Sequence, residues 1–258
     1  MSGPGASRGR TVVVHPDAGV LATATAARLL LHLIDAQSTH RPVHVVLTGG
    51  TVGIRTLAEM AASPLRDAVD WTGVHLWWGD ERFLPSGDPD RNETQARAAL
   101  LDHLDLPAAN VHPMPALDAS TPTPEDSAER YGEDLARFAP TPAAGDDAGP
   151  AGPRFDVVLL GMGPDGHVAS LFPGHPALDV SDRAVVGVHG SPKPPPERVS
   201  LTLPAIEAAE EVWVVVAGAD KAEATARALA GDDPHGTPAA AALGRRRTLW
   251  LVDVAAAG

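Results

Sequence analysis

The residues best suited to chemistry are a histidine and an aspartate in a glycine-rich turn. The apolar run at 157–160 is followed by Gly-Met-Gly-Pro-Asp-Gly at 161–166 and then by His167. Such a short apolar run is typical of a buried strand in a parallel sheet, and ligands bind beyond the carboxyl ends of those strands. A lone histidine in a turn is more often structural. Here Asp165 can orient the imidazole, so His167 is a candidate general base near neutral pH.

A second glycine-rich loop follows another predicted strand. Residues 43–47, VHVVL, run into Thr-Gly-Gly-Thr at 48–51, after which the pattern becomes helical. Free backbone N–H groups and the positive end of a helix would face an anion there. An ordinary strand-to-helix turn with Thr51 as N-cap explains the same residues. The motif alone leaves both interpretations open.

A third loop combines charges of both signs. The strand predicted at 74–78, VHLWW, ends in Gly-Asp-Glu-Arg at 79–82. In isolation these charges would be interpreted as a solvated cluster. Parallel strands bring all three loops to one edge of the sheet, which favours a site instead. Further on, Asn92 and Gln95 resemble a capping box that opens a helix.

Strands and helices alternate along the chain, which predicts an α/β fold with a largely parallel sheet flanked by helices. Residues 1–10 are expected to be a flexible tail, and residues 11–258 a single domain with an exposed Pro/Ala/Gly-rich loop at 139–154. The remaining predicted strands are 11–14, 184–189, 198–203, 212–217 and 248–252. The predicted helices are 20–34, 92–104 and 123–138, and residues 218–221 are expected to lead into a further helix that ends at about 229. Residues 198–203 alternate like a half-exposed strand.

Composition excludes several classes of protein. The net charge of −13 opposes a nucleic-acid surface, which would need a basic face. Cysteine is absent, which excludes disulfides, a cysteine nucleophile and cysteine metal ligands. No metal is predicted, because His167 belongs to no pair at ligand spacing. No apolar run approaches the roughly 18–20 residues that span a membrane, so a cytoplasmic protein is expected.

The central turn also matches the glycine pattern of dinucleotide-binding folds. Gly161, Gly163 and Gly166 have the required spacing. That fold needs a full helix after the third glycine, and Pro173 arrives too soon to allow one. No acidic residue stands at the usual offset of roughly 20 residues. Nucleotide binding is therefore a weak interpretation.

Taken together, the loops resemble those of the 6-phosphogluconolactonases over nearly the whole chain, residues 12–252. Four motifs carry the resemblance: LTGGT at 47–51, WWGDERF at 77–83 with Asn92 downstream, FDVVLLGMGPDGHVASLFPG at 155–174, and SPKPPPERVSLTLP at 191–204. The family has a modified Rossmann-like α/β fold similar to that of the glucosamine-6-phosphate deaminases and isomerases. The resemblance implies hydrolysis of 6-phosphogluconolactone to 6-phosphogluconate, in the pentose phosphate pathway, without a cofactor.

The resemblance also implies residue roles. His167 would activate water, while Asp80 and Asp165 would orient His167 and the sugar hydroxyls. The phosphate would be held by backbone and cationic groups of Gly49, Gly50, Thr51, Arg82, Lys193 and Arg198. The family's glycine loop usually continues Ser-Thr-Pro, whereas Thr-Val-Gly stands at 51–53 here. Thr51 keeps a hydroxyl, so phosphate binding is expected to persist. A monomer or weak homodimer is expected, with the sugar phosphate lactone as ligand.

Two other functions fit the same fold. In the amino-sugar phosphate deaminases the histidine motif continues toward Asn-Glu-Pro, and its acid assists ring opening. Here the segment is Ser-Leu-Phe-Pro at 170–173, without a carboxylate. A non-catalytic sugar-phosphate sensor would usually carry a DNA-binding segment, which the acidic charge opposes. Both differences favour lactone hydrolysis.

Overall fold

The computed structural model describes residues 9–140 and 151–258, and its main feature is a six-stranded parallel sheet of order β1-β9-β8-β5-β2-β3. Its strands are β1 (Arg10–His15), β2 (Val43–Leu47), β3 (Val74–Trp78), β5 (Val157–Gly161), β8 (Glu211–Val216) and β9 (Arg247–Asp253). The predicted α/β class is confirmed. The bounds of β2 and β3 are those predicted, because their apolar runs are buried without interruption apart from half-buried His75.

Helices cover the sheet. They are α1 (Ala18–Gln37), α2 (Gly50–Ala62), α3 (Asn92–Ala99), α4 (Pro124–Ala136), α5 (Leu203–Glu207), α6 (Ala222–Ala230) and α7 (Val254–Ala257). The predicted start of α4 is confirmed: Thr123 and Asp126 form a reciprocal capping box, and Pro124 occupies the first turn. No helix follows the glycine turn after β5, as expected when the dinucleotide interpretation was set aside.

A second sheet was not anticipated. It contains β4 (Asp80–Arg82), β7 (Arg198–Leu201) and β6 (Val185–Val188), paired antiparallel in the order β4-β7-β6. All four residues of β7 are buried, so the half-exposed strand predicted there was wrong. The central position of β7 explains this, since β4 and β6 cover its edges and α4 packs nearby. Strand β4 contains the charged residues of the third loop and β7 begins with Arg198, so the small sheet places these charges beside the large sheet.

Two predicted helix caps were wrong. The N-cap of α2 is Gly49 rather than Thr51, and no side chain accepts its first N–H groups. The N-cap of α3 is Arg91, and Asn92 is already helical, with its side chain turned to other partners. Most of the predicted tail at 1–10 and of the predicted loop at 139–154 lies outside the described residues, and the single domain stays a prediction.

The first helix packs one apolar face into the core. With 20 residues and a mean hydropathy of 1.3, α1 is long and apolar enough to cross a membrane, contrary to the sequence-based expectation. Its inward face is buried, however, through Leu21, Leu29, Leu30 and Leu33. These side chains belong to the same hydrophobic cluster as the strands, so the apolar character of α1 is explained by packing.

Candidate active site

The three loops singled out in the sequence meet at the carboxyl edge of neighbouring strands. Strands β5, β2 and β3 are adjacent, so the segments that follow them converge. The Gly161 N–H donates to Thr48 Oγ1 over 3.1 Å, and the Gly79 N–H donates to the Leu47 carbonyl over 3.1 Å. These bonds hold the starts of the loops in register at one edge of the sheet.

His167 and Asp165 form a close pair at this edge. His167 Nδ1 lies 2.6 Å from Asp165 Oδ1, with the side chains 15% and 34% exposed. Burial alone would raise the pKa of Asp165. The hydrogen bond from His167 and the charges of His167 and Lys193 outweigh it and lower that pKa to about 2. A carboxylate that is charged at neutral pH places the imidazole proton on Nδ1, so Nε2 is the basic nitrogen.

Two neighbours fix the imidazole ring. A Cβ atom built on Gly163 would lie 2.2 Å from both Cε1 and Nδ1 of His167, so the ring occupies space that only glycine leaves open. On another side the Phe172 ring packs against it, with ring centroids 4.6 Å apart. The histidine is therefore positioned by its own turn. Sequence reasoning named the pair but not these supports.

Asp80 is held by partners other than the histidine. Its side chain is buried, and its Oδ2 accepts a 2.7 Å hydrogen bond from the buried hydroxyl of Ser170. Asn92 Nδ2 lies 3.4 Å from the other carboxylate oxygen. Asp165 is the carboxylate that contacts His167, whereas Asp80 ties the loop after β3 to the segment that follows His167.

Glu81 is as buried as any apolar core residue, at 1% exposure. Its carboxylate accepts the backbone N–H groups of Arg82, Asn92 and Glu93, over 2.8, 2.6 and 2.9 Å. The buried guanidinium of Arg91 lies 3.7 Å away. Burial raises the pKa of Glu81 to about 7, against the opposing effect of Arg91 and these N–H groups. Glu81 thus caps α3 from a distant strand, and the solvated-cluster interpretation is wrong for it.

The predicted phosphate-binding cations lie around the same edge. Arg82 donates from Nη1 to Asn92 Oδ1 and to the Asp90 carbonyl, each over 2.8 Å. Arg198 is 6% exposed and donates to the carbonyls of residues 193–195, with its guanidinium 5.8 Å from the Phe172 ring centre. Lys193 uses its backbone in that loop, and its ammonium has no partner among the described residues.

A further cation was missed in the sequence. Lys221 follows β8, the neighbour of β5, through a Gly-Ala-Asp turn at 218–220. Burial lowers the pKa of Lys221, and the positive charge of Lys193 lowers it further although Asp220 opposes this. Because β8 pairs in parallel with β5, the segment that carries Lys221 leaves the sheet at the same edge as the other loops. The sequence signal was present, since a glycine turn after a buried strand is the pattern of the other loops.

The glycine loop after β2 presents backbone donors. Helix α2 begins after Gly49 without a side-chain cap, and Gly50 adopts a φ of 77° that favours glycine. The first N–H groups of a helix lack partners inside the helix, so here they can receive an anion. In the part of the chain that the structure describes, no group of three His, Asp or Glu side chains could hold a metal.

The site combines a polarised histidine, several cations and a helix start without a side-chain cap, at the carboxyl edge of a parallel sheet. This combination defines an α/β enzyme for a small anionic substrate. Residues 16–250 match the family described as glucosamine-6-phosphate isomerases/6-phosphogluconolactonase. The 6-phosphogluconolactonase of Streptomyces coelicolor is 54% identical, over 95% of this chain and 93% of its own length. That of Mycobacterium tuberculosis is 46% identical over 94% of this chain and 95% of its own length.

A solved structure supports the same family relationship. The 6-phosphogluconolactonase of Trypanosoma brucei is similar in fold, with a TM-score of 0.83 and 32% identity over 97% of this chain and 98% of that chain. The chain belongs to the glucosamine-6-phosphate isomerase/6-phosphogluconolactonase family, as the resemblance implied.

Proposed function

We infer that this chain is a carboxylic ester hydrolase that opens 6-phospho-D-glucono-1,5-lactone to 6-phospho-D-gluconate, in the oxidative pentose phosphate pathway. The observation that carries this function is the 54% identity, over 95% of the chain, to a 6-phosphogluconolactonase. The His167–Asp165 pair supplies the chemistry that lactone hydrolysis needs, namely a base that can be orientated and then stabilised as a cation.

In the mechanism that we propose, His167 Nε2 takes a proton from water as the water oxygen bonds to the lactone carbonyl carbon, C1. The carbonyl π electrons move to oxygen, which gives a tetrahedral oxyanion. When the carbonyl re-forms, the bond from C1 to the ring oxygen breaks, and that oxygen takes the proton back from His167. Asp165, charged because its pKa is about 2, stabilises the imidazolium between these steps.

The phosphate contributes binding and orientation remote from C1. We propose that it is held by N–H groups of Gly49, Gly50 and Thr51 and by the cations Arg82, Lys193 and Arg198, with Lys221 as an additional charge. Fixing the phosphate would place C1 beside Nε2 of His167, which converts binding energy into orientation. The contact between Phe172 and His167 supports the lactonase over the deaminase, because an apolar ring stands where that motif turns toward an acid.

The test is hydrolysis above the spontaneous rate. Freshly generated 6-phosphogluconolactone is compared with unphosphorylated gluconolactone, and glucosamine 6-phosphate serves as the deaminase control. Fast turnover of the phosphorylated lactone is expected. Ammonia release from glucosamine 6-phosphate without lactone turnover would reverse the assignment within the family. No turnover of any of the three compounds would indicate a sugar-phosphate sensor.

Gly163→Ala should lower kcat by about 10²-fold, because a displacement of the base of about 1 Å has that effect. The φ of Gly163 lies outside the left-handed region, so the added methyl group acts by displacing His167 and its partner Asp165, whose Oδ1 would lie 2.5 Å away. Gly132→Ala, in α4 with no atom within 4 Å of the new methyl group, is the matched control. Steady-state kinetics of both variants measure the effect on kcat. A Gly163→Ala enzyme with normal kcat would show that the space beside Gly163 does not fix the position of the His167 ring.

We also propose that the chain works in the cytoplasm as a monomer or weak homodimer, without a cofactor, a metal, a nucleic acid or a membrane. The bacterial relatives matched over most of their length support the location. The net charge of −13 supports the exclusion of nucleic acid. The reaction consumes only water and lactone, so it requires no cofactor.

A further inference from the structure

The amide of Asn92 lies where three segments of the site meet. The residue is 2% exposed. Its Nδ2 donates to the Asp80 carbonyl over 2.8 Å, and its Oδ1 accepts from Arg82 Nη1 over 2.8 Å. The same Oδ1 lies 1.9 Å from where a Cβ atom of Gly49 would stand, so the amide packs directly on the Gly49 backbone. One side chain therefore connects the loop after β3 to the loop after β2.

These contacts use both ends of the amide. A carboxylate could accept from Arg82 but could not donate to the Asp80 carbonyl, and an aliphatic side chain could do neither. Arg82 is the cation that Asn92 orients, and the contact with Gly49 brings that cation beside the uncapped start of α2. The other guanidinium nitrogens of Arg82 have no hydrogen-bond partner within 9–140 and 151–258, which leaves them available to an anion.

Asn92 makes no hydrogen bond to His167 or to Asp165. The hydrogen bonds of His167 and Asp165 run to each other and to their own turn. The backbone N–H of Asn92 donates to the Glu81 carboxylate, whereas the Ser170 hydroxyl donates to the Asp80 carboxylate. A change confined to the amide should therefore alter anion binding while the general base stays in place.

We propose that Asn92 is a positioning residue that determines selectivity for the phosphorylated lactone, because it holds the Arg82 guanidinium against the Gly49 turn where the phosphate binds. This inference rests on the proposed function. Asn92 touches no reacting atom, and it acts through Arg82. The alternative is a buried amide that only stabilises the loops, which would affect every substrate equally.

The test is to measure KM and kcat of Asn92→Ala and to ask which of the two constants changes. We expect KM for 6-phosphogluconolactone to rise about 10- to 100-fold, the range for one hydrogen bond to a charged group, with kcat changed less than about threefold. Calorimetric binding of 6-phosphogluconate should weaken by the same factor. Gln95→Ala removes a comparable hydrogen bond, to the Pro89 carbonyl, one turn along the same helix, and should change neither value.

A second comparison separates positioning from folding. Arg82→Ala should reproduce the KM of Asn92→Ala, and the double variant should be little worse than either single one, because both remove the same interaction. An unchanged KM in Asn92→Ala would overturn the proposal, as would an equal fall in kcat/KM on phosphorylated and unphosphorylated lactone. Failure of the proposed function would be visible earlier, as absence of lactone turnover by the unaltered protein.

Discussion

His167→Ala is expected to lower kcat for 6-phosphogluconolactone by about 10²–10⁴-fold, the usual effect of losing a general base. Nε2 is the only basic nitrogen of the His167–Asp165 pair, since Nδ1 is engaged with the carboxylate. KM should change little, because the imidazole contributes to the transition state more than to phosphate binding. Stopped-flow measurement of acid release, with the spontaneous rate subtracted, gives both constants.

His103→Ala is the control for this experiment. That histidine is exposed in the 3-10 turn that follows α3, and its side chain hydrogen-bonds to the Ala98 carbonyl, so its loss should leave the kinetics unchanged. A His167→Ala enzyme that is folded and retains near-normal kcat would show that the histidine is structural and that water is activated elsewhere.

Glu81→Ala should lower the free energy of unfolding by about 3–5 kcal/mol, as expected when one partner of a buried ion pair is removed. The substitution removes the nearer carboxylate of the Arg91 guanidinium, which is 1% exposed and keeps only Glu93, at 3.9 Å, as an ion-pair partner among the described residues. It also leaves the N–H groups of Arg82, Asn92 and Glu93 without their acceptor. Urea denaturation at pH 8 measures the loss, since the carboxylate is charged above its pKa of about 7.

The matched control is Glu129→Ala, an exposed glutamate of α4, whose loss should fall within about 0.5 kcal/mol of zero. A similarly small effect of Glu81→Ala would mean that the free-energy cost of burying the Glu81 carboxylate cancels the stabilisation from its ion pair with Arg91 and from the capping of α3. Because Glu81 anchors the start of α3, its loss should also raise KM through displacement of Asn92.

The sequence by itself determined the features that depend on local patterns. The mainly apolar runs at 43–47 and 74–78, each with one histidine, predicted two strands with their observed bounds, because a strand buried on both faces needs mostly apolar residues. The His167–Asp165 contact was also predictable, since two residues separated by one glycine within a turn can meet without any tertiary structure. The placement of the three loops at one edge followed from the parallel direction of the strands, whereas their convergence also required β5, β2 and β3 to be neighbours in the sheet.

Only the tertiary structure decided the contacts between residues distant in the chain. The burial of Glu81 and of β7 depends on a second sheet that local periodicity does not signal. The position of Asn92 was misjudged because a hydrophilic residue at a helix start is usually a cap, whereas here its partners lie on the strand that carries Asp80. Lys221 was missed because it follows β8, and the pairing of β8 with β5 is set by strand order across the whole sheet and not by adjacent residues.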